Sequence, residues 1–261
     1  MKIIALDLET IRSPQEVGWA NHGALGVSVL CIVDVLKQLE SPLNEGIYIF
    51  TEPVQGHADE IMKLMNSADV IVTHNGLAFD LRVLEFELGC DLREYSKKVI
   101  DFAFIIYQKH RVRVSLENLM RSMFGRKFSK FLSGELVCEY WASGDEVKRQ
   151  MVIDHCVLDV LWLVLIFFGM IQDTVYKRNK AVAGRVKFLN YAELQSRREG
   201  KIPSRRIFSS CLIPYSEKLS EWVTTQPRQE MKKSIQFTFN HIIHKLLGNK
   251  RPPRFLPVPL K

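Results

Sequence analysis

Residues 2–9 read KIIALDLE, and this stretch decides the fold. Its apolar residues predict a strand in the core of a sheet, and two carboxylates close it. Because residues two apart in a strand share a face, Asp7 and Glu9 are predicted to lie on the side of Ile3 and Ala5. Two anions about 5 Å apart at an effective dielectric of 20 repel each other by about 3 kcal/mol. A bound cation would remove this repulsion, and a solvated strand end is the alternative for an isolated D-x-E.

Two further acids are predicted near functional positions. Asp80 follows a short buried strand at 69–73 and a His-Asn-Gly turn, which places it in the first turn of a helix. Asp159 lies in a long apolar helix, where an acid is either paired or bound to a ligand. His155 lies four residues earlier on the same helical face, and a plain hydrogen-bonded pair is the alternative there. Oxygen ligands without His or Cys at matching spacing favour Mg²⁺ or Mn²⁺ over zinc.

The rest of the first 174 residues alternates strand and helix patterns, which predicts an α/β domain over 1–174. Residues 99–106 fit a strand or a buried helix equally well. The segment at 145–172 is one long helix or two stacked helices. Further strands are predicted at 26–35 and 46–50, and further helices at 57–68, 78–88 and 116–124.

The charge is divided unevenly along the chain. Residues 175–261 carry 19 Lys/Arg and five Asp/Glu, a net +14, whereas residues 1–174 carry 17 and 24, a net −7. The basic part is predicted to be a mostly helical extension, with helices at 216–223 and 228–247 and a proline-rich tail. Such a charge suits single-stranded nucleic acid or a protein partner.

Composition excludes several classes of protein. The five cysteines form no C-x-x-C pair, which indicates a reducing compartment and argues against zinc. The longest apolar run, at 160–171, has twelve residues, whereas a bilayer span needs about 20, so it is predicted to be a buried helix. We find no signal peptide pattern and expect a cytoplasmic protein with no membrane contact.

Three motifs carry a family resemblance. DLET at 7–10, HNGLAFD at 74–80 and HCVLD at 155–159 resemble, in order and spacing, the exonuclease motifs of the DEDD superfamily, which has an RNase H-like fold. SLENL at 115–119 and SGELV at 133–137 are similar to predicted 3′-5′ exonucleases related to the proofreading domain of family B DNA polymerases. The resemblance covers about residues 1–172 and implies a mixed five-stranded sheet flanked by helices.

The resemblance also implies roles for individual residues. Asp7, Glu9, Asp80 and Asp159 would hold two divalent metal ions, Mg²⁺ or Mn²⁺, one activating a water and the other stabilising the leaving 3′ oxygen. It further implies that the terminal nucleotide contacts Asn75 and Phe79, with Thr10 beside the 3′ end.

One position departs from the motif. The related branch has Tyr four residues before the last Asp, where this chain has His155, and the sister branch has its His five residues before. An imidazole can accept a proton near neutral pH, so His155 is predicted to serve as a general base.

A basic run at 109–130 lies between two of the motifs. Lys127 and Lys130 are the candidates for phosphate contact, and a solvated basic face is the alternative. The function expected from these features is a metal-dependent 3′-5′ exonuclease acting on the 3′ end of single-stranded nucleic acid, DNA more than RNA. A nucleic-acid-binding or assembly protein with weakened catalysis, and a structure-specific endonuclease, are the alternatives.

Overall fold

The computed structural model describes residues 1–41, 45–124, 130 and 132–178. Within them the chain forms five strands and eight α-helices. The strands are β1 (Ile3–Thr10), β2 (Val27–Asp34), β3 (Ile47–Thr51), β4 (Val70–Thr73) and β5 (Val99–Asp101). The helices are α1 (Pro14–Val17), α2 (Lys37–Glu40), α3 (Ala58–Ser67), α4 (Asp80–Leu88), α5 (Phe102–His110), α6 (Leu116–Phe124), α7 (Gly134–Ala142) and α8 (Glu146–Arg178).

The five strands form one mixed sheet in the order β3-β2-β1-β4-β5, which confirms the predicted sheet flanked by helices. β1 pairs antiparallel with β2 and parallel with β4, and β4 pairs parallel with β5. The carboxyl ends of β1, β4 and β5 therefore meet at one edge of the sheet. We call this the carboxyl edge, and it is where the acids of the D-x-E pair lie.

Helices cover both faces of the sheet. Ile3 and Ala5 belong to the core cluster that contains the middle of α8, and Ile4 and Leu6 belong to the cluster that contains α3 and α4. This alternation follows from the two-residue period of a strand. Asp7 and Glu9 therefore belong to the α8 face, as their spacing predicted.

The predicted buried helix is confirmed. Helix α8 is one continuous helix, which decides between one helix and two for residues 145–172. Its segment Glu146–Gly169 is long and apolar enough to cross a membrane, but 72% of its most apolar window is buried within the fold. Residues 160–168 are all buried, and α8 packs against β1 and β2. The apolar run is thus used as the core of the domain.

Some local predictions differ from the structure. Residues 99–106 were predicted to form either a strand or a buried helix, and they contain parts of both. Strand β5 ends at Asp101, and helix α5 begins at Phe102. Helix α4 begins at Asp80 rather than 78, because Ala78 and Phe79 form a turn whose N–H groups donate to the carbonyl of Asn75. Helix α7 was not predicted, and it begins where the Ser133 hydroxyl accepts the Leu136 N–H. The expected helices at 216–223 and 228–247 lie outside the described residues.

Candidate metal centre

Four carboxylates from three elements converge at the carboxyl edge. Asp7 and Glu9 come from β1, Asp80 is the first residue of α4, and Asp159 lies in the middle of α8. The Leu8 N–H donates to Asp80 Oδ1 at 3.2 Å, which ties α4 to β1 between the two β1 acids. The structure thus brings together the acids that the three motifs predicted.

The pKa values of all four acids are raised, first of all by burial. Burial, followed by the charges of Asp80, Asp159 and Glu9, holds the pKa of Asp7 well above its usual value. Burial and the charge of Asp159 raise the pKa of Glu9 to about 8. Burial also raises the pKa of Asp80 to about 7 and the pKa of Asp159 above its usual value. The cluster consequently has a strong affinity for positive charge.

One cation of the chain already lies against the cluster. Lys130 forms an ion pair and hydrogen bond with Asp159 Oδ2. Burial opposes the charge on Lys130, but the surrounding carboxylates outweigh it and raise its pKa. The lysine charge in turn lowers the pKa values of Asp7, Glu9 and Asp80. Lys130 supplies one positive charge to a cluster of four acids.

His155 joins the cluster from α8. Its side chain is almost fully buried, and its Nε2 lies 3.7 Å from Glu9 Oε1. Burial and the nearby charge of Lys130 lower the pKa of His155 to about 4. The imidazole is therefore neutral at pH 7 and a weaker base than an exposed histidine.

The cluster fits a divalent cation. Asp159 Oδ1 is buried and has no hydrogen-bond partner within the described part of the chain. Such an atom is costly unless a ligand contacts it. One donor atom each from Glu9, His155 and Asp159 lies within 4.8 Å of the others, a spacing that a shared ion can bridge. The sequence expected oxygen ligands alone, whereas the structure adds an imidazole, which suits Mn²⁺ better than Mg²⁺.

Nearby thiols stabilise the strand instead of adding ligands. The Cys156 S–H donates to the carbonyl of Asp7 and the Cys138 S–H to the carbonyl of Thr10, each at 3.5 Å. Burial raises the pKa of both thiols, which keeps them protonated. These hydrogen bonds join the end of β1, which carries Asp7 and Glu9, to α8 and α7.

Asp101 positions the loop before α4, and the sequence reasoning missed it. It ends β5 and is almost fully buried, and both of its carboxylate oxygens accept backbone hydrogen bonds. Oδ1 accepts from Asn75 at 2.8 Å and from Phe104 at 3.0 Å, and Oδ2 accepts from Leu77 at 3.0 Å. It therefore fixes the loop from β4 to α4 that places Asp80. A signal was available, since Asp101 is the one charged residue in the otherwise apolar stretch 99–106.

Two other contacts hold the same loop. A Cβ on Gly76 would lie 2.6 Å from the side chain of Thr73, so only glycine fits there. His74 Nε2 lies 2.8 Å from the carbonyl of Val114, and burial lowers the pKa of His74 to about 4, which makes Nε2 an N–H donor of a neutral ring. The turn that precedes Asp80 is thus built from β4, β5 and the segment before α6.

The residues expected to contact substrate lie at different places around the cluster. Asn75 is exposed in the loop before α4 and has φ of 69°. Phe79 is half-buried, with its ring 6.1 Å from the ring of His22. The Thr10 hydroxyl donates to the carbonyl of Arg12 at 2.9 Å. Lys127 lies outside the described residues.

An open cavity of about 390 Å³ adjoins the cluster. It runs from the metal-binding candidates toward the start of α7. It is lined by Glu9, Glu117, Lys130, Leu132, Ser133, Gly134 and His155.

A comparison with known protein families agrees with this architecture. A model of the RNase H superfamily matches residues 47–169, which include Asp80, His155 and Asp159. Together with the sheet topology, this match identifies an RNase H-like domain. Among solved structures, the chain is similar to the family B DNA polymerase of the hyperthermophilic archaeon Pyrobaculum calidifontis, at 19% identity and a TM-score of 0.47. The similarity covers 66% of this chain and 25% of the polymerase chain. No curated protein matches the chain.

Proposed function

We propose that this chain is a metal-dependent 3′-5′ exonuclease that hydrolyses single-stranded nucleic acid, DNA in preference to RNA, to nucleoside 5′-monophosphates. The observation that carries the proposal is the convergence of four acids with raised pKa values, of which Asp80 and Asp159 are buried. Asp159 Oδ1 also has no hydrogen-bond partner within the described part of the chain. The match of the RNase H superfamily model to residues 47–169 supports a role in nucleic-acid processing.

Asp7, Glu9, Asp80 and Asp159 would hold two divalent ions, Mg²⁺ or Mn²⁺. When bound, these ions supply an activated water and charge stabilisation for the leaving oxygen. The four acids would hold the ions, and the loop fixed by Asp101 sets the position of Asp80.

The other residues act on the substrate or on protons. His155 is neutral at pH 7, and its Nε2 beside Glu9 can accept a proton from the attacking water. Lys130 lies close enough to Asp159 for its ammonium group to contact the scissile phosphate as well. Asn75 and Phe79 at the rim would hold the terminal nucleotide, with Thr10 near the end of β1 and Lys127 as a further phosphate contact.

Two observations favour a second candidate, a nucleic-acid-binding or assembly protein with weakened catalysis. Lys130 partly compensates Asp159 without any metal, and His155 is a weak base. The retention of all four acids favours the enzyme. A structure-specific endonuclease would use the same acids and differs only in the substrate that it cuts. In each case the basic extension at 175–261 could bind the substrate or a protein partner.

The test uses the full chain with a 3′-labelled single-stranded DNA, the same DNA labelled at the 5′ end, an RNA of the same sequence and a circular single strand. We expect Mg²⁺ or Mn²⁺ to support release of labelled 5′-monophosphate from the 3′ end, and chelator to stop it. Cutting of the circular strand would establish the endonuclease instead. Binding of linear DNA without any hydrolysis, in either metal, would establish the binding protein.

A further inference from the structure

A group of exposed aromatic and basic side chains lies on α5 and the segment after it. Phe104 and Tyr107 are 42% and 39% exposed and are three residues apart, so they share one face of the helix. Arg111 and Arg113 follow, both exposed. We call these four residues the Tyr107 patch.

Both arginines lie over the tyrosine ring. The guanidinium carbon of Arg111 is 5.7 Å from the centre of the Tyr107 ring, and that of Arg113 is 6.0 Å away. Neither guanidinium forms an ion pair within the described part of the chain, in contrast to Arg82 and Arg93, which pair with acids. The patch therefore combines two uncompensated positive charges with two exposed rings.

The backbone at Arg111 points to a requirement for that side chain. Arg111 ends α5 with φ of 55°, and its N–H donates to the carbonyl of Tyr107 at 2.8 Å. Glycine is the usual residue at this left-handed position, because other residues lose conformational free energy there. The arginine at this position places its guanidinium over Tyr107 and accepts that loss of conformational free energy.

The patch is continuous with the rim of the metal centre through two contacts. The Phe104 N–H shares the carboxylate of Asp101 with the Asn75 N–H. On the other side, the carbonyl of Val114, next to Arg113, lies 2.8 Å from His74 Nε2, and His74 precedes Asn75. The patch thus begins at the loop that is expected to hold the terminal nucleotide.

We infer that the Tyr107 patch binds the single-stranded nucleic acid upstream of its 3′ end, with bases stacking on Phe104 and Tyr107 and phosphates contacting Arg111 and Arg113. Uncompensated cations beside exposed rings complement a phosphate backbone that carries unstacked bases. From Phe104 to Arg111 the helix advances about 10 Å, the length of about three stacked nucleotides. This inference rests on the proposed function, since it assigns a substrate to the surface beside the same site.

The test measures binding of the full chain to fluorescent single-stranded DNA in chelator, so that hydrolysis plays no part. We expect the double variant Arg111→Ala, Arg113→Ala to bind a ten-nucleotide strand about tenfold more weakly, with the log–log salt slope reduced by about 1.4 for two lost phosphate contacts. Tyr107→Leu should weaken binding about 5- to 10-fold through lost stacking, whereas Tyr107→Phe retains the ring and should stay within about twofold. A dinucleotide, too short to reach the patch from the site, should lose much less affinity than the longer strand.

Lys148→Ala provides the matched control, because Lys148 lies 5.3 Å from the Tyr140 ring and is another cation over a tyrosine. It is eleven residues before Asp159, about 17 Å along α8. Unchanged affinity and salt slope in the double arginine variant, or an equal loss in the Lys148 control, would overturn the inference. Failure of the proposed function would appear separately, as wild-type protein that digests no DNA in Mg²⁺ or Mn²⁺.

Discussion

The two edges of the central sheet place buried acids in very different surroundings. At one edge, Asp34 ends β2 opposite Ile4, and its Oδ1 accepts the N–H groups of Leu36 and Lys37 at 3.2 and 3.3 Å. At the carboxyl edge, four acids lie close together, and burial raises the pKa of each one. A lone acid satisfied by backbone donors serves a turn, whereas a crowded group destabilises the fold unless a cation binds. The difference indicates that the carboxyl edge is built for a ligand.

The largest expected effect separates two acids on α8. Asp159→Asn should lower hydrolysis of 3′-labelled DNA by about 10³-fold or more, since a metal ligand contributes several kcal/mol to the transition state. Asp154→Asn is the control, because Asp154 is exposed and accepts a hydrogen bond from Gln150 at 2.9 Å. It should change the rate by less than about twofold, as expected of an exposed position away from the cluster. Rates measured on folded variants check this, and equal losses in the two variants would remove the special role of Asp159.

The next effect compares the two aspartates that end strands. Asp101→Asn replaces one acceptor oxygen with a donor, so either the Leu77 N–H or the pair of Asn75 and Phe104 loses its partner. We expect the kcat to fall about 10- to 100-fold because the loop that carries Asp80 moves. Asp34→Asn should cost about 1–3 kcal/mol of unfolding free energy, as a disturbed buried hydrogen bond does, and leave the kcat unchanged. If Asp101→Asn lowered only the stability, its positioning role would be wrong.

A smaller effect is expected at the imidazole beside Glu9. His155→Gln should slow hydrolysis about tenfold, less than the roughly 10²- to 10⁴-fold usual for general base catalysis, because the pKa near 4 makes His155 a weak base. The pH dependence of the rate should also lose the step that is caused by the ionisation of His155. The pH–rate profiles of variant and wild type, measured in Mn²⁺, check this. A variant with the wild-type profile would exclude His155 as the base.

The smallest expected effect is a change in the stability of the protein with pH, measured in chelator so that no divalent metal is bound. Between pH 6.5 and 8 the folded chain holds protons on Glu9 and Asp80, with pKa values of about 8 and 7, that the unfolded chain has already released. Stability must therefore fall as pH rises through this window. His74 and His155, with pKa values of about 4, change stability only below about pH 6.5, where their rising charge in the unfolded chain opposes folding.

Thermal unfolding at several pH values in this window measures the fall in Tm, which we expect to be a few degrees. Bound Mn²⁺ should cancel the fall. Glu9→Gln should flatten it. Glu94→Gln, at an exposed residue, should leave it as in the wild type. A stability that rose between pH 6.5 and 8 in chelator would contradict the raised pKa values.

The sequence predicted those parts of the site that depend on short-range pattern. The two-residue period of a strand placed Asp7 and Glu9 on one face, and the motif with His155 and Asp159 required only one turn of helix. The mixed sheet followed from the family resemblance and was confirmed. The two local placements agree with the structure because each depends on neighbours within a few residues, whereas the pairing of distant strands was implied only by the resemblance.

The contacts that the sequence could not supply join distant segments. Asp101 binds backbone groups 24 and 26 residues away, and Lys130 meets Asp159 across 29 residues. Neither pairing leaves a periodic signal, because it depends on which strands become neighbours. The same holds for the two arginines over Tyr107, which appear in the sequence only as part of a basic run.

Calorimetric titration of the full chain with Mn²⁺ at pH 7.5 tests most directly whether the carboxyl edge is a divalent-cation site. We expect saturable binding by the wild type and by Asp154→Asn, with proton release as the raised pKa values of Asp7, Glu9 and Asp80 fall on binding. Asp159→Asn should lose most of that affinity and keep its fold. Equal binding by Asp159→Asn and the wild type, or no saturable binding by either, would contradict the assignment.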